Sequence, residues 1–234
     1  RPIARRILET TEALPIVSMH GHVDVSVLER DEPFGDPASL LVIPDHYVVR
    51  MLVSQGVPHD ALGVPRRDGR AVETDPRAIW RAFASNWHLF RGTPSRFWLE
   101  HVLIGLLGVP ERLSAESADE AYDHISARLA EPAFRPLALL DRFSIELIAT
   151  TDPADAALAD HRALAERSWG ERIVPTFRPD AVVRLDRPSW RDDLARLEER
   201  SGVAIGSYDS LIGALEQRRA AFVTAGARAT DHGP

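Results

Sequence analysis

The stretch Pro15-Ile16-Val17-Ser18-Met19-His20-Gly21-His22 joins a short apolar run to two histidines placed one residue apart. The apolar run predicts a strand over 15–19. Because side chains alternate between the two faces of a strand, His20 and His22 should project to the same side at its end. Two imidazoles on one side form half of a divalent-metal site. With nine histidines in 234 residues, a chance pair is the competing interpretation.

Strands and helices alternate along the rest of the chain, which favours an α/β protein with a parallel sheet covered by helices. Further strands are predicted over 145–150, 172–177 and 225–230. Helices are predicted over 2–13, 45–55, 76–90, 95–107 and 117–130. We expect a single domain in three parts: 1–57, a mostly helical insertion over 58–140, and further β/α units over 141–234.

Two local patterns describe the later helices. Asp152-Pro153 resembles an N-cap followed by a proline in the first helical position, so a helix is predicted to begin there. One face of a later amphipathic helix consists of Tyr208, Leu211, Ile212, Leu215 and Phe222. Arg218 and Arg219 interrupt that stripe for one turn, although their long stems can cover apolar surface.

The composition limits the classes of function. Hydrophobic residues make up 44% and charged residues 27%, as in ordinary soluble globular proteins. A net charge of -7 disfavours a nucleic acid or an anionic membrane as partner. No cysteine is present, which excludes thiolate metal ligands and is compatible with a cytoplasmic location. The N-terminus has no signal-peptide pattern, and no apolar run is long enough to cross a bilayer.

Polar side chains follow several of the predicted strands directly. Thr150-Thr151-Asp152 follows one strand, Arg178 and Asp180 follow the next, and Asp231-His232 follows the last. In a closed barrel of parallel strands the carboxyl ends meet at one rim, where active sites are built. Each residue also has a structural interpretation. Asp152 can be a helix cap, Arg178 and Asp180 a salt-bridged turn, and His232 a buried core histidine.

A second group of polar residues lies near the predicted helix over 45–55. Asp45 is the expected N-cap, so His46 and Tyr47 fall in the first turn, whose amide groups favour anions. They could exchange protons with sugar hydroxyls and bind a carboxylate, or simply form a buried helix start. Arg50 follows one turn later, and Trp98 is a candidate wall of the site. The remaining histidines are interpreted as structural or surface residues: His59, His88, His124 and His161.

These motifs, in this order, resemble the uronate (glucuronate) isomerases of the amidohydrolase superfamily. The matching segments are His20-Gly21-His22, Asp45-His46-Tyr47 with Arg50 and Gly56-Val57, Thr150 to Pro153, Pro175 to Asp180, and Asp231-His232. The resemblance implies a distorted (β/α)8 TIM-type barrel, partial in this chain, with an inserted helical region. It implies aldose–ketose interconversion of D-glucuronate and D-fructuronate, or of D-galacturonate and D-tagaturonate, and a small-molecule uronate as partner.

The resemblance also implies roles for individual residues. His20 and His22 would bind a divalent metal, with zinc as the expected ion, and His46 and Tyr47 would be catalytic. Substrate-binding roles pass to Arg178, Arg50, Trp98, Asp180 and His232. The sequence departs from the family at Gly21, where cysteine is common, and over Phe97 to His101, where only Trp98 aligns. The family's later histidine block and its strand-eight Asp and Arg have no counterpart here, so we expect a longer protein.

Two other functions remain open from the sequence. A metal-dependent hydrolase on the same barrel would use the histidine pair equally well, with His232 as a possible further ligand. A non-catalytic sugar-acid-binding relative, or an inactive fragment, is the other alternative. The sequence leaves open the metal, the uronate epimer and a homo-oligomeric state.

Overall fold

The computed structural model describes residues 1–233 of the chain. Contacts between residues divide the chain into two compact units. One unit combines Arg1–Asp31 with the chain from Pro136 onward, and the other is Glu32–Arg135. The insertion predicted over 58–140 stays a prediction. Most of that range belongs to the second compact unit, which begins earlier in the chain, at Glu32.

Helices dominate both units, and the strands are short. The α-helices are α1 (Pro2–Thr11), α2 (Val25–Arg30), α3 (Pro37–Leu41), α4 (His46–Ser54), α5 (Pro76–Ser85), α6 (Pro94–Glu100), α7 (Ala118–Leu129), α8 (Pro136–Arg142), α9 (Ala159–Glu166), α10 (Asp180–Val183), α11 (Trp190–Ser201) and α12 (Tyr208–Thr224). The strands are β1 (Ile16–Ser18), β2 (Ile145–Ala149), β3 (Asp152–Pro153), β4 (Ile173–Val174) and β5 (Phe177–Arg178). Within residues 1–233, no helix is both long and apolar enough to cross a membrane.

The paired strands of the described chain all run parallel, as the alternating pattern predicted. β1, β2 and β4 form one sheet in that order, with Ile16 opposite Ile145 and Ile148 opposite Ile173. β3 and β5, which follow β2 and β4 along the chain, form a second parallel pair. The broad prediction of an α/β protein with parallel strands is therefore confirmed.

Two apolar clusters fix these strands against helices. Leu164 of α9 packs with Ile173 of β4 in one cluster. Leu197 of α11 and Phe222 of α12 pack with Phe177 of β5 in the other. The rings of Phe177 and Phe222 are perpendicular, with centroids 5.1 Å apart. Burying a side chain of this size contributes about 2 kcal/mol, so these contacts hold the carboxyl end of β5 in place.

Asp152-Pro153 does not begin a helix, so that prediction was wrong. The backbone N–H of Asp152 donates to Thr176 O, and that of Ala154 donates to Arg178 O, both at 3.0 Å. Pro153 is tolerated in β3 because the residues on either side of it make the ladder hydrogen bonds. The predicted strand over 172–177 is divided into β4 and β5, although Thr150 donates its N–H to Val174 O and accepts from Thr176 N–H on either side of Pro175, both at 3.0 Å.

The end of the chain also differs from the sequence pattern. The strand predicted over 225–230 is reduced to one parallel bridge between Phe177 and Thr230. In α12, Tyr208 is 75% exposed and lies outside the buried stripe, whereas Arg218 is only 6% exposed and lies within it. Arg218 is accommodated there because its guanidinium donates to two backbone carbonyls, Ala154 O at 3.0 Å and Ala156 O at 2.7 Å.

The helical unit, Glu32–Arg135, follows its sequence pattern closely in places. Asp45 caps α4 as predicted, because its carboxylate accepts from the backbone N–H groups of Tyr47 and Val48. The helix predicted over 76–90 ends at Ser85 as α5 and continues as a 3-10 turn. The helix predicted over 95–107 changes from α6 to a π-helical stretch at His101. α5 packs on α7, where Trp80 donates to the Ala118 carbonyl.

Candidate active site

His20 and His22 lie just beyond the carboxyl end of β1 and face each other. Their Nε2 atoms are 3.2 Å apart and the ring planes are nearly perpendicular, at 86°. Two nitrogens each about 2.05 Å from a zinc ion in tetrahedral geometry would stand about 3.3 Å apart. The spacing therefore fits one shared ion. The same spacing fits a hydrogen bond between the two imidazoles.

The histidine pair provides two ligands, and zinc takes about four. Among residues 1–233, no group of three or more histidine, cysteine or acidic side chains is arranged to hold a metal. His20 and His22 are both exposed, which leaves room on the side of the pair for further ligands. The metal therefore remains a proposal, with this pair as its only ligands in the described chain.

Arg178, at the end of β5, is held by two carboxylates. Its Nε and Nη2 atoms donate to the two oxygens of Asp180 at 2.9 and 3.2 Å, and Nη1 lies 3.3 Å from Asp231 Oδ2. The hydrogen bonds to Asp180 raise the pKa of Arg178, and those from Arg178 lower the pKa of Asp180. A guanidinium has five N–H donors, and Asp180 uses two. The Nη1 end is therefore available to a further carboxylate, in competition with Asp231.

The salt-bridged turn that the sequence offered as a structural explanation for Arg178 and Asp180 is thus present. It does not exclude a substrate role, because a fixed guanidinium is better oriented than a free one. Gly233 closes this cluster by donating its backbone N–H to Asp180, and a Cβ built on Gly233 would lie 2.7 Å from Asp180 Oδ1. His232 is exposed, with Nδ1 3.0 Å from the Gly233 carbonyl, so the buried-core interpretation of His232 was wrong.

The histidine pair and Arg178 lie along one edge of the parallel strands. The Thr151 hydroxyl donates to the carbonyl of Gly21 at 2.7 Å, which joins the histidine loop to the end of β2. Thr151 immediately precedes β3, in which Pro153 is opposite Arg178. The structure therefore brings together the carboxyl ends of successive strands, as the sequence pattern predicted.

The other candidate residues belong to the helical unit. His46 and Tyr47 lie in the first turn of α4 with ring centroids 4.1 Å apart, and both are exposed. The alternative of a buried helix start is therefore wrong for these two side chains. Arg50 is exposed on the next turn, and Trp98 of α6 is 39% exposed.

One polar cluster was not recognised in the sequence. Thr150 Oγ1 donates to Asp152 Oδ2 at 2.7 Å and lies 2.9 Å from His161 Nε2, and all three residues are buried. The Thr150 hydroxyl has a second acceptor in the Val174 carbonyl oxygen, 3.3 Å away. Burial raises the pKa of Asp152 and lowers that of His161. The sequence signal for this cluster was a histidine, His161, within the helix that follows the segment Thr150-Thr151-Asp152.

Comparison with known proteins identifies the family. A family model for glucuronate isomerase matches residues 2–234. The chain is 48% identical over 233 residues to a uronate isomerase of Rhizobium meliloti (strain 1021), and 48% identical over 234 residues to one of Nostoc punctiforme (strain ATCC 29133 / PCC 73102). These alignments cover 100% of this chain, and 50% and 49% of the relatives.

Solved structures agree. A glucuronate isomerase from Caulobacter crescentus superposes with a TM-score of 0.93 at 45% identity, over 99% of this chain and 48% of that one. A uronate isomerase from Thermotoga maritima gives a TM-score of 0.88 at 27% identity, over 99% and 49%. The chain belongs to the glucuronate isomerase family. It spans about half the length of the curated relatives it matches.

Proposed function

We propose that this chain is part of a uronate isomerase that interconverts the aldose and ketose forms of a sugar acid. The substrate pair is D-glucuronate and D-fructuronate, or D-galacturonate and D-tagaturonate. The observation that carries the proposal is the placement of a histidine pair and a fixed guanidinium along one edge of parallel strands, in a chain 48% identical to uronate isomerases.

The proposed fold of the whole protein is a (β/α)8 barrel of the amidohydrolase kind. Support comes from the parallel strands and from β1, which lies at the edge of its sheet. Ile16 and Val17 of β1 are 48% and 53% exposed. An apolar edge strand with unpaired backbone groups is a site for aggregation unless another strand covers it. Further strands beyond the described residues, closing the barrel, would remove that edge.

The proposed cofactor is a divalent metal held by His20 and His22. We favour zinc because neutral imidazole nitrogens are common zinc ligands and the Nε2 spacing fits a tetrahedral site. When bound, such an ion supplies Lewis-acid stabilisation of negative charge on the substrate oxygens.

The remaining roles follow from the chemistry of each side chain. Isomerisation moves a proton between adjacent carbons through an enediol. In our proposal Arg178 orients the substrate carboxylate, and Asp180 holds the guanidinium in place. His46 and Tyr47 exchange protons with the substrate hydroxyls. Arg50, Trp98 and His232 are proposed substrate-binding residues. The base that removes the carbon-bound proton is not assigned within this chain.

The test uses the protein purified as its natural gene encodes it. We expect about one bound zinc per chain by elemental analysis and ketose formation from D-glucuronate or D-galacturonate. The double variant His20→Ala, His22→Ala should lose both. The control is His88→Ala, which removes an exposed histidine of the helical unit and should change neither.

The rival functions give different results in the same experiment. A metal-containing parent that cleaves amides, esters or lactones without forming a ketose would favour the hydrolase. A parent without bound metal and without turnover would favour the non-catalytic sugar-acid-binding relative. A cytoplasmic location and a homo-oligomeric state stay predictions from the sequence.

A further inference from the structure

The loop that carries the histidine pair has few ties to the rest of the chain. Within residues 1–233, residues 20–22 make no backbone hydrogen bond to another segment. The Ser18 hydroxyl reaches the carbonyl of His20 only at 3.5 Å, the limit for such a bond. By contrast, the Thr151 hydroxyl donates to the carbonyl of Gly21 at 2.7 Å, across 130 positions of sequence.

We propose that Thr151 is a positioning residue that fixes the peptide between His20 and His22, and thereby sets the spacing of their Nε2 atoms. This inference rests on the proposed metal site. The carbonyl of Gly21 belongs to the backbone that links the two histidines. A hydrogen bond to that carbonyl therefore restricts rotation of the peptide plane and, with it, the directions in which both imidazoles project.

Thr151 is well placed for this role because its own backbone is fixed. The residue before it, Thr150, donates its N–H to Val174 O, and the residue after it, Asp152, donates to Thr176 O, both at 3.0 Å. Thr151 follows β2, which is the central strand of its sheet with β1 on one side and β4 on the other. The Thr151 hydroxyl thus ties the loop of residues 20–22, which has no ladder hydrogen bonds, to the end of the paired strand β2.

Such supporting hydrogen bonds affect metal binding directly. Ligands that are already oriented lose less conformational entropy when an ion binds, and loss of outer-shell partners typically weakens metal affinity by about tenfold to a hundredfold. A purely structural role for Thr151 makes a different prediction. It would lower thermal stability and leave the affinity of the folded apo-protein for zinc unchanged.

The test compares the variants Thr151→Val and Thr151→Ser with the parent. All three proteins are purified at the full length that the natural gene encodes. Valine keeps the β-branched shape and removes the hydroxyl, whereas serine keeps the hydroxyl. Thr224→Val is the matched control, because that hydroxyl also donates to a backbone carbonyl, Ala220 O at 3.0 Å, on an exposed helix surface. The measurements are zinc affinity of the apo-protein by chelator competition, and the thermal midpoint without metal.

We expect Thr151→Val to weaken zinc binding about tenfold or more. Thr151→Ser and Thr224→Val should stay within about threefold of the parent, which is less than about 0.7 kcal/mol of binding free energy. Parental affinity in Thr151→Val overturns the inference but not the proposed function. A tenfold loss in Thr151→Ser also overturns it, even if the valine variant does not fold. A parent that binds no zinc overturns both.

Discussion

Replacing Arg178 by lysine separates the geometry of the guanidinium from its charge. The side chain is 29% exposed, and two of its five donors are committed to Asp180. In our proposal the Nη1 end receives the substrate carboxylate. A lysine has one compact ammonium group, which cannot hold Asp180 in a two-bond fork and at the same time offer a directed donor to the substrate.

The expected change in KM follows from the hydrogen bonds that the substitution removes. A hydrogen bond to a charged group contributes about 1.5–3 kcal/mol, and every 1.4 kcal/mol corresponds to about a tenfold change in affinity. Because the site is partly exposed, we use the lower end for a single lost bond. Arg178→Lys should therefore raise KM for uronates by about tenfold to thirtyfold, with a smaller effect on kcat.

The assay is the initial rate of ketose formation at increasing uronate concentration. Arg184→Lys is the matched control, because Arg184 also pairs with the carboxylate two residues later, Asp186 at 3.4 Å, but is 54% exposed. The control should leave KM unchanged. An unchanged KM in Arg178→Lys, or an equal rise in Arg184→Lys, would refute the assignment of Arg178 to the substrate carboxylate.

Two further predictions concern stability. Arg218→Met should lower the free energy of unfolding by about 2 kcal/mol, because the carbonyls of Ala154 and Ala156 lose charge-assisted donors; a change below about 0.5 kcal/mol in urea unfolding would contradict this. Burial raises the pKa of Asp152, so the native state holds this proton more tightly than the unfolded chain. The stability that Asp152 contributes is lost as pH rises through its folded pKa, and the lowered pKa of His161 acts in the opposite direction. The stability advantage of Asp152→Asn over the parent should therefore grow as pH rises above about 4, the ordinary pKa of an aspartate, and a difference independent of pH would contradict the assignment.

Local patterns in the sequence were informative where the responsible physics is local. The spacing of His20 and His22 follows from the two-residue period of an extended chain, and the structure places their Nε2 atoms 3.2 Å apart. The cap at Asp45 depends only on a carboxylate and the next two amide groups. The alternation of strands and helices was enough to predict parallel pairing.

The sequence predictions were wrong where a residue makes hydrogen bonds to a partner far away in the chain. Asp152-Pro153 has the local pattern of a helix start, but a ladder partner at Thr176 was available and prevailed. Arg218 was expected to interrupt the apolar stripe of α12 for one turn. Two carbonyls in a segment more than 60 residues earlier allow it to be buried instead.

The sequence by itself determined the family, the parallel α/β class and the residues that carry candidate chemistry, because these depend on residue types and short spacings. Only the tertiary structure decided that Thr151 supports Gly21, that Asp231 approaches Arg178, and that His161 joins a buried cluster with Thr150. These contacts depend on which strands are neighbours and in what register, and hydrogen bonds between such distant residues form only once that order is fixed.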